Sequence, residues 1–248
     1  MPEHSGRSYE PIASRYAATV DTKPWNAHYE RPGLVSLLSE LDGAKVLDVG
    51  CGSGWYAEYL LGKGAEVTAF DLNEEFVRLT KARVGARARV LRADLSEPLP
   101  FAANGEFDVA VCPLVLHYLR DWGPALQELH RVLNQRGALV FSTHHPFMDW
   151  QLFKTENYFA IELLHDEWEN VGRVDYYRRP LSAITEELYQ AGFWIERLLE
   201  PLPTEDFRRL NPSSYERLTK NPWFLFVRAR KRDSPGAAVA SSMVRHRG

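Results

Sequence analysis

The segment Val46-Leu47-Asp48-Val49-Gly50-Cys51-Gly52-Ser53-Gly54 places three alternating glycines directly after a short apolar run. The run reads as a strand, and glycines after it let the backbone come close to a ligand with no Cβ in the way. Asp48 lies two residues before the first glycine, placed to receive a cationic amine or to order the turn through backbone N–H groups. Asp71 ends the next apolar run, 21 positions after Gly50, where a carboxylate can accept both hydroxyls of a ribose. Asp94 follows a third run, where it could accept from an adenine amino group, with Leu72 and Leu95 flanking the ring. The glycine turn alone indicates little more than a nucleotide-like ligand. Three carboxylates at three successive strand ends suit a ligand that carries a ribose, an adenine and a positive charge.

A second set of residues could move protons near neutral pH. His144 and His145 follow the fifth apolar run directly, and His117 follows the fourth. Adjacent residues just after a strand point in different directions, so one of His144 and His145 is expected to face a substrate. The alternative is that they hydrogen-bond the loop backbone, with Pro146 fixing the turn. Three histidines near one edge raise the idea of zinc, but no cysteine or further histidine spacing supports it, and no metal is expected.

The elements needed to position these groups alternate along the chain. Apolar runs at Val46–Val49, Glu66–Phe70, Ala88–Arg92, Phe107–Cys112 and Ala138–Thr143 are separated by helix-like stretches at Trp55–Leu61, Glu74–Arg83 and Trp122–Leu133. Alternation of this kind implies right-handed βαβ units and a parallel sheet covered on both faces. Such sheets bind ligands outside the C-terminal strand ends, where the glycine turn lies. Residues 8–41 read as amphipathic helices broken by Pro24 and Pro32, with Pro32 in the first turn of a helix running to Leu41. Residues 147–180 are dense in aromatics and contain a candidate hairpin, Ile161–Glu169 with Arg173–Arg179. A helix at Ser182–Ala191 and strands at Phe193–Leu199 and Trp223–Arg230 follow, the last two joined by a long Pro-punctuated connection.

These motifs resemble those of the class I S-adenosylmethionine-dependent methyltransferases. Val46–Gly54 is similar to their first motif, Phe70-Asp71-Leu72 to the second and Ala93-Asp94-Leu95 to the third. Phe107–Cys112 with Leu116-His117-Tyr118-Leu119 resembles the fourth, and Leu129–Leu133 with Gly137–Val140 the helix, turn and strand after it. The likeness is strongest to the branch that includes the ubiquinone and menaquinone biosynthesis methyltransferases, and it covers about residues 30–145. It implies a Rossmann-like three-layer α/β sandwich around a seven-stranded, mostly parallel sheet with an antiparallel last strand. It implies S-adenosyl-L-methionine as cofactor, held through the backbone of Gly50, Cys51, Gly52 and Gly54 and of Cys112 and Leu114. Asp71 would bind its ribose and Asp94 its adenine. N-terminal helices of that family close over the cofactor, which makes Tyr9, Tyr16, Tyr29 and Arg31 candidates for the methionine carboxylate; the tyrosines could equally pack the helices on the core.

The domain plan is then lid helices (1–44), a cofactor-binding core (45–145), an acceptor cap (146–181), a helix and strands completing the sheet (182–230) and a disordered tail (231–248). The expected reaction is in-line transfer of a methyl group to a small molecule, with His145, His144 or His117 as base where the acceptor needs one. Phe147, Trp150, Tyr158, Phe159 and Trp168 are expected to line an acceptor pocket for an aromatic, polyketide-like or isoprenoid-like molecule, or else to form the core of the cap.

The bulk numbers narrow the alternatives. A formal charge of -3 gives no attraction to a polyanion, and no basic domain is appended, so nucleic acid is not an expected partner. Two cysteines cannot hold a radical-type iron–sulfur cluster and suggest no disulfide framework. Neither a signal peptide nor a membrane span is legible, and a cytoplasmic monomer or homodimer is expected. A nicotinamide oxidoreductase would use Gly-x-Gly-x-x-Gly, one residue longer than the spacing here, and would leave Asp48 and Asp94 without a role. An isomerase, cyclase or sensor that binds S-adenosylmethionine without methyl transfer is the remaining rival.

Overall fold

The computed structural model describes residues 13–168 and 171–232. Seven strands form one sheet: β1 (Lys45–Val49), β2 (Glu66–Asp71), β3 (Arg89–Arg92), β4 (Phe107–Pro113), β5 (Leu133–His144), β8 (Phe193–Leu199) and β9 (Phe224–Lys231). Their order across the sheet is β3-β2-β1-β4-β5-β9-β8. Strands β1 to β5 run parallel, while β9 runs antiparallel to both of its neighbours. The expected seven-stranded sheet with an antiparallel last strand is therefore present. The order reverses between β1 and β4, and this is where an open sheet leaves a crevice at its carboxyl ends.

Both faces are buried, as near-continuous apolar strands require. On one side Leu47, Val49 and Phe141 pack against α5 (Gly123–Val132) and α7 (Leu181–Gln190). Ala125, Leu126, Leu129 and Val132 form a single stripe of α5 that is wholly buried, each leucine contributing roughly 2 kcal/mol. On the other side Val46, Val67 and Val111 pack against α2 (Arg31–Val35), α3 (Trp55–Gly62) and α4 (Glu74–Val84). Asn73 starts α4 by accepting hydrogen bonds from the backbone N–H groups of Glu75 and Phe76.

Three parts of the chain differ from the sequence reading. Pro32 does sit in the first turn of α2, but that helix stops at Val35 rather than Leu41. Residues 200–222 are not a bare connection: α8 (Glu205–Leu210) and α9 (Pro212–Leu218) occupy it, and their Phe207 and Leu218 are buried in the core. Strand β5 begins at Leu133, which pairs with Phe107, and the expected turn at Gln135–Gly137 is a bulge within it before Ala138 pairs with Val109.

The candidate hairpin forms, pairing β6 (Glu162–Trp168) with β7 (Gly172–Arg178). With α1 (Ala13–Val20) and Phe76 it builds a third, smaller apolar cluster around Val174 and Tyr176. Helix α6 (Pro146–Phe153) joins this cap to the end of β5. Strand β9 reaches Lys231, and the rest of the expected tail lies outside the described residues, as does Tyr9.

Candidate functional site

A cavity of about 540 Å³ opens over the carboxyl ends of the parallel strands. At one end its wall is the glycine turn. Gly50, Gly52 and Gly54 all have positive φ, at 67°, 54° and 84°. A Cβ on Gly50 would come within 2.3 Å of Val115 Cγ2, so the turn is closed to any larger residue there. A Cβ on Gly52 would meet nothing within 4 Å, so the main chain is bare at the cavity. The turn is tied down by Cys51 N–H donating to the Phe70 carbonyl and by the Thr80 hydroxyl donating to the Gly52 carbonyl, both at 2.9 Å.

Asp71 connects this turn to the next loop. Its Oδ2 accepts from Gly52 N–H and its Oδ1 from Asn73 N–H, each at 2.9 Å. Burial nevertheless raises its pKa to about 6. Leu72 and Leu95 line the cavity beside it. Asp94 does not: its Oδ1 turns toward the N–H and hydroxyl of Ser96, and it is Ala93 and Leu95 that form the wall. The neighbouring Leu114 has φ 53°, a left-handed conformation that a leucine adopts only under constraint. Its N–H donates to Ser142, and its side of β4 faces the cavity.

Asp48, Gly54 and Cys112 stand behind the wall rather than in it. Gly54 turns the chain into α3, where a Cβ would press on the backbone of Thr80 at 3.0 Å. Cys112 is fully buried within β4. Asp48 is fully buried as well, and neither carboxylate oxygen has a hydrogen-bond partner. Desolvation first, and then the nearby Asp71, push its pKa up to about 8. The Ala57 backbone offsets part of this, and a buried acid under a bare glycine turn favours a positively charged group placed above it.

The N-terminal residues cover the cavity, with mixed outcomes for the candidates among them. Tyr16 lines it, edge-on to Phe76 at 6.0 Å, and burial raises its pKa to about 12. Arg31 lines it with its guanidinium 4.3 Å from the Trp55 ring, while donating to the backbone and carboxylate of Asp21. Tyr29 does not face it. That ring is 1% exposed, packs on Phe207 and Phe224, and its hydroxyl accepts from Trp223 N–H at 3.1 Å. The expectation for Tyr29 gives way because α8, which the sequence did not reveal, covers it.

The residue between them was missed. Glu30 lines the cavity, its two oxygens accepting from the Ser142 hydroxyl at 2.7 Å and the Tyr56 hydroxyl at 2.9 Å. Burial lifts its pKa to about 7. No spacing in the sequence marks it, since its partners lie on α3 and β5.

At the far end the wall is made of rings. Tyr118, His144, Leu152, Trp168 and Phe224 contribute, with Asp166 and Glu167 beside them. The histidines separate clearly. His144 faces the cavity. His145 instead caps α6, its Nδ1 accepting from Phe147 N–H, and its Nε2 lies 2.7 Å from Glu200. His117 is buried with both ring nitrogens unpartnered, and desolvation, His144 and Arg179 hold its pKa well below the usual value. Of the expected aromatic lining, only Trp168 is part of the wall. Phe147, Trp150, Tyr158 and Phe159 form a chain of ring contacts away from the cavity, with Trp150 and Tyr158 half-buried between the exposed Phe147 and Phe159.

The geometry fits S-adenosylmethionine: a bare glycine cradle, an orphaned buried carboxylate for positive charge, and Asp71 at the β2 end for the ribose. The sequence matches the model of the methyltransferase domain family over residues 47–141. The chain belongs to the class I S-adenosylmethionine-dependent methyltransferases. It is 41% identical over 135 residues to a malonyl-[acyl-carrier protein] O-methyltransferase of Pseudescherichia vulneris, covering 53% of each chain. It is 36% identical over 151 residues to a ubiquinone biosynthesis O-methyltransferase of Xanthomonas oryzae, covering 56% of this chain and 63% of that one. Both matches span less than two thirds of these relatives. An S-adenosylmethionine-dependent methyltransferase structure from Mesorhizobium loti superposes with a TM-score of 0.67 at 25% identity, over 86% of this methyltransferase and all of that chain. Among the described residues no helix is long and apolar enough to cross a membrane, and no group of three or more His, Cys, Asp or Glu gathers as metal ligands do.

Proposed function

We propose that the chain transfers a methyl group from S-adenosylmethionine to a small molecule held beneath the hairpin cap. The observation that carries this is the continuity of the cavity: one space runs from the glycine turn and Asp71 to His144 and Trp168. When bound, the cofactor supplies an electrophilic methyl on sulfur. The protein then has to align a nucleophile with it and keep water out. Arg31, Tyr16 and Glu30 are placed for the charged methionine end, Asp71 for the ribose, and Leu72 and Leu95 for the adenine faces. The cap supplies the acceptor side, with Trp168 as its aromatic wall and Leu152 closing it from α6.

The relatives' names, an acyl-carrier-bound malonyl group and ubiquinone biosynthesis, are compatible with an acceptor of small reacting part. The test is incubation with deuteriomethyl-labelled S-adenosylmethionine and a library of small acceptors, reading S-adenosylhomocysteine release and the labelled product mass. Release with a labelled product supports transfer and disfavours the cyclase or sensor reading. Cofactor binding with no release across the library overturns it. Trp168→Ala should raise the acceptor KM about tenfold through lost apolar contact, and Trp150→Ala should leave it unchanged.

A further inference from the structure

We infer that His144 is the general base of the transfer, that Asp149 is its positioning residue, and that the acceptor is a protic oxygen or nitrogen nucleophile rather than a carboxylate; this rests on the methyl-transfer reading above. His144 is the last residue of β5 and stands on the cavity wall. Its Nδ1 is 3.6 Å from Asp149 Oδ1 on α6. Asp149 is 5% exposed and is steadied from behind, where the Tyr176 hydroxyl donates to the same oxygen at 3.2 Å. The ring of His144 is held on its other sides by Trp168, near-parallel at 6.1 Å, and by the edge of Phe224 at 5.8 Å.

With Nδ1 turned to a carboxylate, Nε2 is on the opposite side of the imidazole and makes no hydrogen bond to a described residue. That is the arrangement of a base whose tautomer is set by its orienter, and such contacts tighten when substrate arrives. The charged groups around His144 are mostly acidic, Asp149, Asp166 and Glu167, with the Lys23 ammonium over the Trp168 ring as a cation lining the same cavity. Asp149 comes from α6, and Asp166, which accepts from the Trp168 indole N–H at 2.8 Å, from β6. Tyr176 on β7 and Tyr118 are neutral, and His117, ring centroid 4.7 Å away, is kept neutral by burial. Arg179 acts on His117 from the far side. In the step, His144 Nε2 takes the proton from the acceptor O–H or N–H as that heteroatom's pair bonds to the methyl carbon. The electron pair of the broken carbon–sulfur bond stays on sulfur, which becomes a neutral thioether, and the positive charge ends on the imidazolium beside Asp149. A carboxylate acceptor carries no proton to give up and needs none of this.

The experiment uses the full chain, 15N-labelled at histidine and saturated with S-adenosylhomocysteine. Nitrogen-detected spectra should show His144 as the Nδ1–H tautomer, and that tautomer preference should be lost in Asp149→Asn. In parallel, catechol and aniline probes are compared with a malonyl thioester bearing a free carboxylate, using labelled cofactor. Turnover on a protic probe should fall about 100-fold in His144→Gln with S-adenosylhomocysteine affinity retained, and the rise of kcat with pH should disappear. In Asp149→Asn turnover on the protic probe should fall about tenfold through kcat with acceptor KM little changed, as expected of a positioning residue. An Nε2–H tautomer, a tautomer preference unchanged in Asp149→Asn, turnover confined to the carboxylate probe, or His144→Gln within threefold of wild type overturns the inference. Failure to bind S-adenosylhomocysteine would instead overturn the underlying reading, so the two failures are distinct.

Discussion

At the cofactor end the cavity wall is mostly main chain, held in left-handed turns at Gly50 and Gly52 and tied by the Asp71 carboxylate. At the acceptor end it is side chain, rings from β5, β6 and β9 brought together over long sequence separations. The difference predicts opposite responses to substitution. A main-chain wall built on positive φ takes a side chain only at the cost of backbone strain, and at Gly50 of a clash as well, whereas a wall of rings can lose one and change only what it selects. Gly50→Ala should have the largest of the effects predicted for the cavity wall. The new Cβ would be 2.3 Å from Val115 Cγ2 on a backbone at φ 67°. Expected are a loss of about 3 kcal/mol in denaturant stability and at least a 100-fold weaker Kd for S-adenosylhomocysteine by calorimetry. Adding Val115→Ala should restore part of the stability but not the part due to φ. Full recovery would show that the turn is an ordinary packed contact, and the contrast between the two ends would fail.

The second way to break the comparison is electrostatic. The cofactor end carries three buried acids with raised pKa values: Asp48 at about 8, Glu30 at about 7 and Asp71 at about 6. A carboxyl whose pKa is higher in the folded chain binds more protons there than when unfolded, so its ionisation costs stability as pH rises. For Asp48 that loss runs from its ordinary value of 3.8 up through about 8. Without ligand, these three acids should therefore make Tm fall between about pH 4 and pH 8, and Asp48→Asn should flatten the upper part of the slope. Bound S-adenosylmethionine brings the missing positive charge, so the Tm increment it gives should grow with pH, more than that of the uncharged-sulfur product. An unchanged slope in Asp48→Asn would remove Asp48 from this role.

The same contrast explains what could be read from the sequence. The cofactor end is local: strand, glycine turn and acid fall within a few residues of each other, so Gly50, Asp71 and Leu72 were legible from spacing. Asp48 was legible as an acid beside the turn, though not as a residue sealed behind the wall. Glu30 was not legible, because what makes it a site residue is a hydroxyl from Tyr56 and another from Ser142, 112 positions away. Tyr29 was misread for a related reason, since its burial depends on α8. The aromatic density of residues 147–180 does not say which rings of a hairpin look toward the cavity, and of the five expected rings Trp168 lines it while Phe147, Trp150, Tyr158 and Phe159 pack on one another elsewhere.

The smallest predicted effect separates two adjacent histidines, of which the sequence predicts that one, without saying which, faces a substrate. His145 acts as the N-cap of α6, its Nδ1 accepting from Phe147 N–H at 3.3 Å. Asparagine is among the best N-cap residues and offers an acceptor of similar reach, so His145→Asn should keep stability within about 0.5 kcal/mol, while His145→Ala should cost about 1 kcal/mol. Both should retain methyl transfer within about twofold, because neither removes a group that faces the cavity. The cap matters to the acceptor end only at one remove: α6 carries Asp149 in its first turn, so a frayed helix start would loosen the partner of His144. His145→Ala should then show a slightly broadened His144 resonance that His145→Asn does not, and a loss of activity in His145→Asn comparable with His144→Gln would place the reactive nitrogen on the wrong residue.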